Sequence, residues 1–322
     1  MKVALSTGIH EVIVQERPAP TAGPGEVIVQ MAACGVCGSD VSDDWVAHKL
    51  PGVLGHELCG EVVAVGDGAP SPPLGSRVVV HHHAPCGECR RCRRGHETLC
   101  EQFRATALDP GGFAEFVRVP AELVGELLDV GALDAERATF VEPLACVLRA
   151  LRRAGLRGGD SLLVVGAGTS GLLAICAAHS QAVDVVWVSE PRSERLNRAL
   201  ELGAERHGNE PVDIALVCTP NADAIDHAAR SLAPGGTLCL YAPPIAGTRL
   251  DLDALATFMA EIDVCSSYSA GPRDMHAALG LIASGRIDPL PFVTHRLALA
   301  DTGLALELAR TATALKALVL PC

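Results

Sequence analysis

The sequence predicts an α/β protein that combines a β-rich region with a doubly wound parallel sheet. Three observations carry that prediction. Before Glu142, β-branched runs are bounded by Gly and Pro. Beyond it, strand-like and helix-like segments alternate. A glycine-rich turn, GAGTSG at 166–171, joins the first strand of that alternation to its first helix.

In chain order, residues 12–15 (VIVQ), 26–30 (EVIVQ), 60–65 (GEVVAV) and 76–80 (SRVVV) read as strands. Pro18, Pro20 and Pro24 mark the loop between the first two. Pro143 suits the first turn of a helix, where its missing N–H costs nothing. Leu144, Leu148 and Leu151 follow at helical spacing. Residues 161–165 (SLLVV), 184–188, 214–218 and 237–241 are then strands. Helices are expected over 172–181, 193–202 and 222–232. Strand–helix alternation of this kind builds a parallel sheet covered on both faces. From Ile287 the pattern turns strand-like again, notably at 317–320 (ALVL), so the chain is expected to re-enter the β-rich region. The domain expectation is 1–146, 147–286 and 287–322.

Composition narrows the function. At 322 residues the chain is long enough for two domains, and 49% hydrophobic residues supply large cores. A net charge of −12 argues against a nucleic-acid surface, which needs clustered Lys and Arg. The local run Arg90, Arg91, Arg93 and Arg94 instead offsets the charge of neighbouring thiolates. The opening residues are too weakly apolar for a signal peptide. No segment has the length of a membrane span. Thirteen cysteines, an odd number, suit a reducing cytoplasm better than a disulfide framework.

Four of those cysteines carry the strongest motif. Cys86, Cys89, Cys92 and Cys100 are separated by two, two and seven residues. Four thiolates so close in sequence can enclose one zinc tetrahedrally and leave no open position, so the site is structural. A second metal-type signal lies at Cys37-Gly-Ser39-Asp40 and Gly55-His56-Glu57. A catalytic zinc takes three protein ligands and keeps one position open. Cys37 and His56 are suitable donors, with Glu57 and Glu142 as candidates for the third. Taken singly, these residues are better explained as a core cysteine and a surface His–Glu pair; only together with the other motifs does the pattern become specific.

The turn Gly166-Ala-Gly168-Thr169-Ser170-Gly171 stands in the strand–turn–helix context of a dinucleotide site. Gly166 makes the tight turn, Gly168 admits a pyrophosphate, and Gly171 lets the helix pack on the sheet. The helix start offers N–H groups to phosphate. Glu190, at the end of the next strand, can accept hydrogen bonds from both ribose hydroxyls and would repel a 2′-phosphate. That favours NAD over NADP, although Arg192 and Arg195 soften the repulsion.

Taken together, these motifs make the chain resemble a zinc-dependent medium-chain dehydrogenase/reductase of the sorbitol, butanediol and threonine dehydrogenase branch. Gly111-Gly-Phe-Ala-Glu115 and Glu142-Pro-Leu-Ala145 belong to the same likeness, which spans essentially the whole chain. The resemblance implies a GroES-like β-rich catalytic domain and a Rossmann cofactor domain. It puts Cys37 and His56 on the catalytic zinc and makes Glu57 a constant or transient ligand. Glu142 takes the place near zinc that polyol dehydrogenases give to a glutamate. Asp40 becomes the carboxylate that orients the ligand histidine, and Ser39 the hydroxyl that passes the substrate proton outward. It further implies a secondary alcohol as substrate (a polyol, cyclitol, diol or amino alcohol), a ketone product, and a homodimer or homotetramer. A zinc-free quinone or enoyl reductase on the same fold, and a non-catalytic cofactor-binding protein, are the rival readings. Cys37, His56 and the four cysteines speak against the first, and the intact Ser39, His56 and glycines against the second.

Two departures stand out. Relatives often carry a histidine where this chain has Ser42, so the outer proton path must use cofactor ribose, water, or Asp43, Asp44 or His48. The stretch after Gly203 is too short for the usual strand and helix, so a trimmed third Rossmann unit is expected, with a more open adenine side.

Overall fold

The structure, a computed structural model, describes residues 1–70 and 72–321. The chain divides into two compact units: Met1–Pro143 with Gly271–Cys322, and Leu144–Ala270. The return to the first unit comes at Gly271 rather than at 287. The helix Pro272–Ala283 goes with that unit, meeting the short helix Ala135–Ala138.

Among the described residues, the first unit holds two sheets. The strands Glu11–Glu16, Lys2–Gly8 and Gly52–Val53 form the smaller one. The larger runs, in space, Val293–Ala298, Lys316–Leu320, Val27–Gly35, Glu57–Val65, Arg77–Val80 and Leu127–Asp129. Phe116–Val119 also pairs with Val27–Gly35. The strand expected over 26–30 thus extends to Gly35, and its β-branched start is buried together with Met31, Ala33 and Cys34. Its neighbour Glu57–Val65 runs antiparallel, with Gly35 opposite Glu57. That register sets Cys37 and His56, just beyond the two strand ends, at one edge of the sheet. Val27, Val29, Met31, Leu58, Val62, Val78, Phe113 and Val117 fill the core.

The second unit is a six-stranded parallel sheet among the described residues. Its spatial order is Glu205–Arg206, Val185–Ser189, Ser161–Val165, Val212–Val217, Leu232–Leu240, Asp263–Ser266. In chain order this is 3-2-1-4-5-6, the doubly wound arrangement in which dinucleotides bind where the strand order reverses. The strand Ser161–Val165 lies at that reversal, between Val185–Ser189 and Val212–Val217. It leads into the helix Thr169–His179, whose Leu172, Leu173, Ile175 and Ala178 are all buried. The third unit is trimmed as expected: its strand is two residues long, and no helix separates it from Val212. The strands Lys2–Gly8 and Asp263–Ser266 were not legible in the sequence, whereas Val293–Ala298 falls in the tail expected to be strand-like. The helix Val141–Arg153 carries Pro143 in its first turn.

Candidate functional site

Cys37 ends the extended segment after Val27–Gly35 and opens the turn Gly38–Val41. Cys37, His56 and Glu57 bring one potential ligand atom each within 4.8 Å of one another. Asp40, 3% exposed, ties this group together. Its Oδ2 accepts the Cys37 N–H at 3.0 Å and its Oδ1 the Gly55 N–H at 3.3 Å. The same Oδ1 lies 3.4 Å from His56 Nδ1, so Nε2 is the nitrogen left for a metal. A carboxylate behind a ligand imidazole fixes its tautomer and raises its basicity. Burial pushes the Asp40 carboxyl up, but the His56 charge and hydrogen bonds more than reverse this and hold it below the ordinary range. Burial likewise lowers His56, yet Asp40 and Cys37 raise it well above its usual value. The field at this ring therefore favours positive charge.

Gly55 has φ +86, and a Cβ there would stand 2.9 Å from the Phe113 ring. The segment 111–115 clamps the histidine loop from the other side. Gly112 N–H donates to Gly55 O at 2.8 Å and Phe113 N–H to Leu54 O at 3.0 Å. Ser39 sits in the same turn, between Cys37 and Asp40.

Glu57 is buried against Lys316, whose ammonium contacts Oε2 and also donates to Val36 O at 3.1 Å. Lys316 was invisible to sequence reasoning, because it comes from Lys316–Leu320, far along the chain. Gly35 leaves room for this ion pair, since a Cβ there would lie 2.0 Å from Glu57 Oε2.

Glu142 is brought into a different donor group, with His81 and His82, again within 4.8 Å of one another. These histidines follow the strand Arg77–Val80. The His82 ring centroid is 4.7 Å from that of His56, so the two groups adjoin. Burial pushes His81 and His83 down to about 4 and His82 well below its usual value. All three are neutral at pH 7. The signal that could have found them was the run His81-His82-His83 itself.

The four-cysteine lobe converges as expected. Sulfur separations are 3.5 Å for Cys86–Cys100, 3.6 Å for Cys89–Cys92 and 4.0 Å for Cys86–Cys92. A zinc with Zn–S bonds of about 2.3 Å has tetrahedral edges of about 3.8 Å, so this donor set fits the ion. The Cys89 and Cys86 N–H groups donate to Cys86 and Cys100 sulfurs. Burial pushes the Cys100 thiol up, but the Cys86 and Phe103 N–H groups and the neighbouring thiols bring it down to about 6.

In the second unit, Gly166 has φ +98 and donates to Ser189 O. A Cβ at Gly171 would meet Gly166 O at 2.0 Å, so only glycine lets the helix start so near the strand. A Cβ at Gly168 would find only Arg195 Nη1, at 3.8 Å, leaving a backbone face that a pyrophosphate can approach. The Glu190 carboxylate accepts the Ala167 and Arg192 N–H groups at 2.8 and 2.9 Å. Ser170 Oγ accepts from the Tyr241 hydroxyl at 3.2 Å, and Thr169 begins the helix.

A GroES-like unit with sulfur- and nitrogen-rich donor groups, followed by a Rossmann unit, is the build of a zinc-type dehydrogenase. Residues 23–129 match the alcohol dehydrogenase GroES-like domain family. The chain is 30% identical to L-threonine 3-dehydrogenase of Pyrococcus abyssi, covering 86% of this chain and 85% of that one. It is 28% identical to sorbitol dehydrogenase of Bacillus subtilis, over 95% and 93%. Alcohol dehydrogenase TADH from Thermus sp. ATN1 superposes with a TM-score of 0.88 at 30% identity, over 99% of each chain. Two other solved relatives are bound to NADP and to NADH. The chain belongs to the zinc-dependent medium-chain alcohol dehydrogenase family, enzymes that act on CH–OH donors. No helix among the described residues is long and apolar enough to cross a membrane.

Proposed function

We propose that this protein oxidises a secondary alcohol bearing a neighbouring polar group to the ketone, with NAD as hydride acceptor and two zinc ions per chain. The observation that carries the reading is Asp40, which binds the Cys37 backbone and faces the His56 ring, a support expected of a metal-ligand pair. Bound at Cys37, His56 and Glu57, zinc would supply a Lewis acid for the substrate oxygen. Asp40 holds His56 in one tautomer. Ser39 passes the substrate proton outward, and Asp43 or His48 completes the path where Ser42 replaces a histidine. Glu142 accepts a hydrogen bond from the neighbouring hydroxyl or amine of the substrate. A simple aliphatic alcohol offers no such donor and forgoes that hydrogen bond to a charged group, worth about 1.5–3 kcal/mol. Gly166, Gly168, Thr169, Ser170 and Gly171 hold the pyrophosphate, with Arg195 beside it, and Glu190 takes the ribose. Cys86, Cys89, Cys92 and Cys100 hold the structural zinc.

The reading extends to the cytoplasm as its compartment, supported by the odd number of cysteines. It also extends to a homodimer or homotetramer. Leu255, Phe258 and Met259 are 70%, 76% and 72% exposed on one short helix, next to the edge strand Asp263–Ser266, and such a face favours cover by another chain.

The deciding experiment combines metal analysis with kcat/KM across ethanol, diols, polyols and amino alcohols, each with NAD and NADP. The expected result is two zincs, a diol, polyol or amino alcohol far ahead of ethanol, and NAD ahead of NADP. Ethanol as the best substrate, or a single zinc at full loading, overturns the reading. A clear NADP preference overturns the role given to Glu190.

A further inference from the structure

We propose that His81, His82 and Glu142 form a further divalent transition-metal position, adjoining the Cys37–His56–Glu57 group and filled after the two thiolate-containing sites. The argument begins with the protons. His81 Nδ1 lies 2.5 Å from the His83 carbonyl oxygen. A carbonyl only accepts, so Nδ1 carries the proton and Nε2 the lone pair. That Nε2 is fully buried and has no hydrogen-bond partner. His82 Nδ1 is buried and unpartnered in the same way. Two adjacent imidazole nitrogens without partners are costly to bury unless something binds them.

What binds them must accept lone pairs, and the third member of the group defines its charge. Glu142 is 7% exposed and offers a carboxylate oxygen within 4.8 Å of one ring nitrogen of each histidine. Two imidazoles and one carboxylate form a donor set used by zinc, cobalt and iron. In a regular strand, consecutive side chains face opposite ways. Here the strand Arg77–Val80 ends just before His81, and the two rings stand on one side with centroids 5.2 Å apart. Ligand spacing around a bound ion is about 3.4 Å, which adjustments of rotamer size would reach. Lacking thiolate, the position is weaker than the other two. One carboxylate oxygen of Glu142 can serve the ion while the other still meets substrate.

The test adds Co2+ to protein already loaded with zinc. One further equivalent should bind, giving ligand-field absorption without a thiolate-to-cobalt charge-transfer band. His81→Gln should weaken that binding more than about tenfold while the zinc content stays unchanged. Should His81→Gln lose zinc or fail to fold, His82→Asn is read the same way. No cobalt uptake by the zinc-loaded protein overturns the proposal. So does uptake with a charge-transfer band, which marks exchange into a cysteine site, or full uptake by the folded variant. The separate reading of Cys37 as a zinc ligand fails on a different arm, if Cys37→Ser leaves the zinc count unchanged.

Discussion

At the scale of single residues, Asp40 decides how the metal group is held. It is short, buried and bonded to backbone on both sides of the site. Asp40→Asn removes the charge behind His56 while nearly preserving shape. Zinc affinity at this site should fall roughly 10–100-fold, the usual cost of losing such a support. Competition with a chromophoric chelator measures it, and an unchanged affinity contradicts the role. Glu126 makes a different kind of prediction. Burial raises its carboxyl to about 7, and His276 only partly opposes this. In the folded state Glu126 therefore binds a proton that the unfolded chain has released between pH about 4.3 and 7. Its contribution to stability is present at low pH and is lost as pH rises through about 7. Urea midpoints across that window should fall less steeply for Glu126→Gln than for the parent. Parallel curves would show that Glu126 stays charged in the fold. Most of the site was legible at this scale: Cys37, His56, Asp40 and the four cysteines stand in short motifs. His81 and His82 were overlooked although the run His81-His82-His83 was a signal, because adjacent histidines match no familiar ligand spacing, and Lys316 was not legible because it meets Glu57 only through sheet pairing.

At the scale of elements, the four-cysteine lobe has little besides its converging thiols to hold it. Its helices, Arg90–Arg93 and Glu101–Ala105, have four and five residues. Phe103 is its one large core side chain, packed with the cysteines themselves. So little apolar area cannot order such short helices alone. Cys89→Ser should therefore expose backbone amides across residues 86–105 to hydrogen exchange and leave the parallel sheet protected. Uniform protection would show that the lobe is held by packing. Strands such as Ser161–Val165 were legible because a continuous apolar run between glycines has one reading. Lys2–Gly8 was not, since its run KVALSTG ends in Ser, Thr and Gly and carries few β-branched residues, although its main partner is the neighbouring Glu11–Glu16. The trimmed third unit was foreseen from length alone: five residues separate Arg206 from Val212.

At the scale of the whole molecule, the assembly proposed here depends on the exposed helix Ala254–Met259. Phe258→Asp should convert the oligomer to a folded monomer, seen by sedimentation with an unchanged far-UV spectrum. An unchanged mass places the interface elsewhere. This helix escaped the sequence reading because, at six residues, it is too short for the helical spacing of Leu255, Phe258 and Met259 to stand out.

The unit that contains the metal groups is interrupted, with Leu144–Ala270 lying wholly inside its sequence. That arrangement has a consequence for synthesis. Lys316 is made 259 residues after Glu57. At ribosomal speeds the wait is roughly 10–50 s. The Rossmann unit, being continuous, can fold within that interval. Throughout it, Glu57 has no counter-charge, and the Lys316–Leu320 side of Val27–Gly35 is an open strand edge. A nascent chain of this design exposes that edge throughout elongation, and a chain stopped before Lys316 cannot pair Glu57.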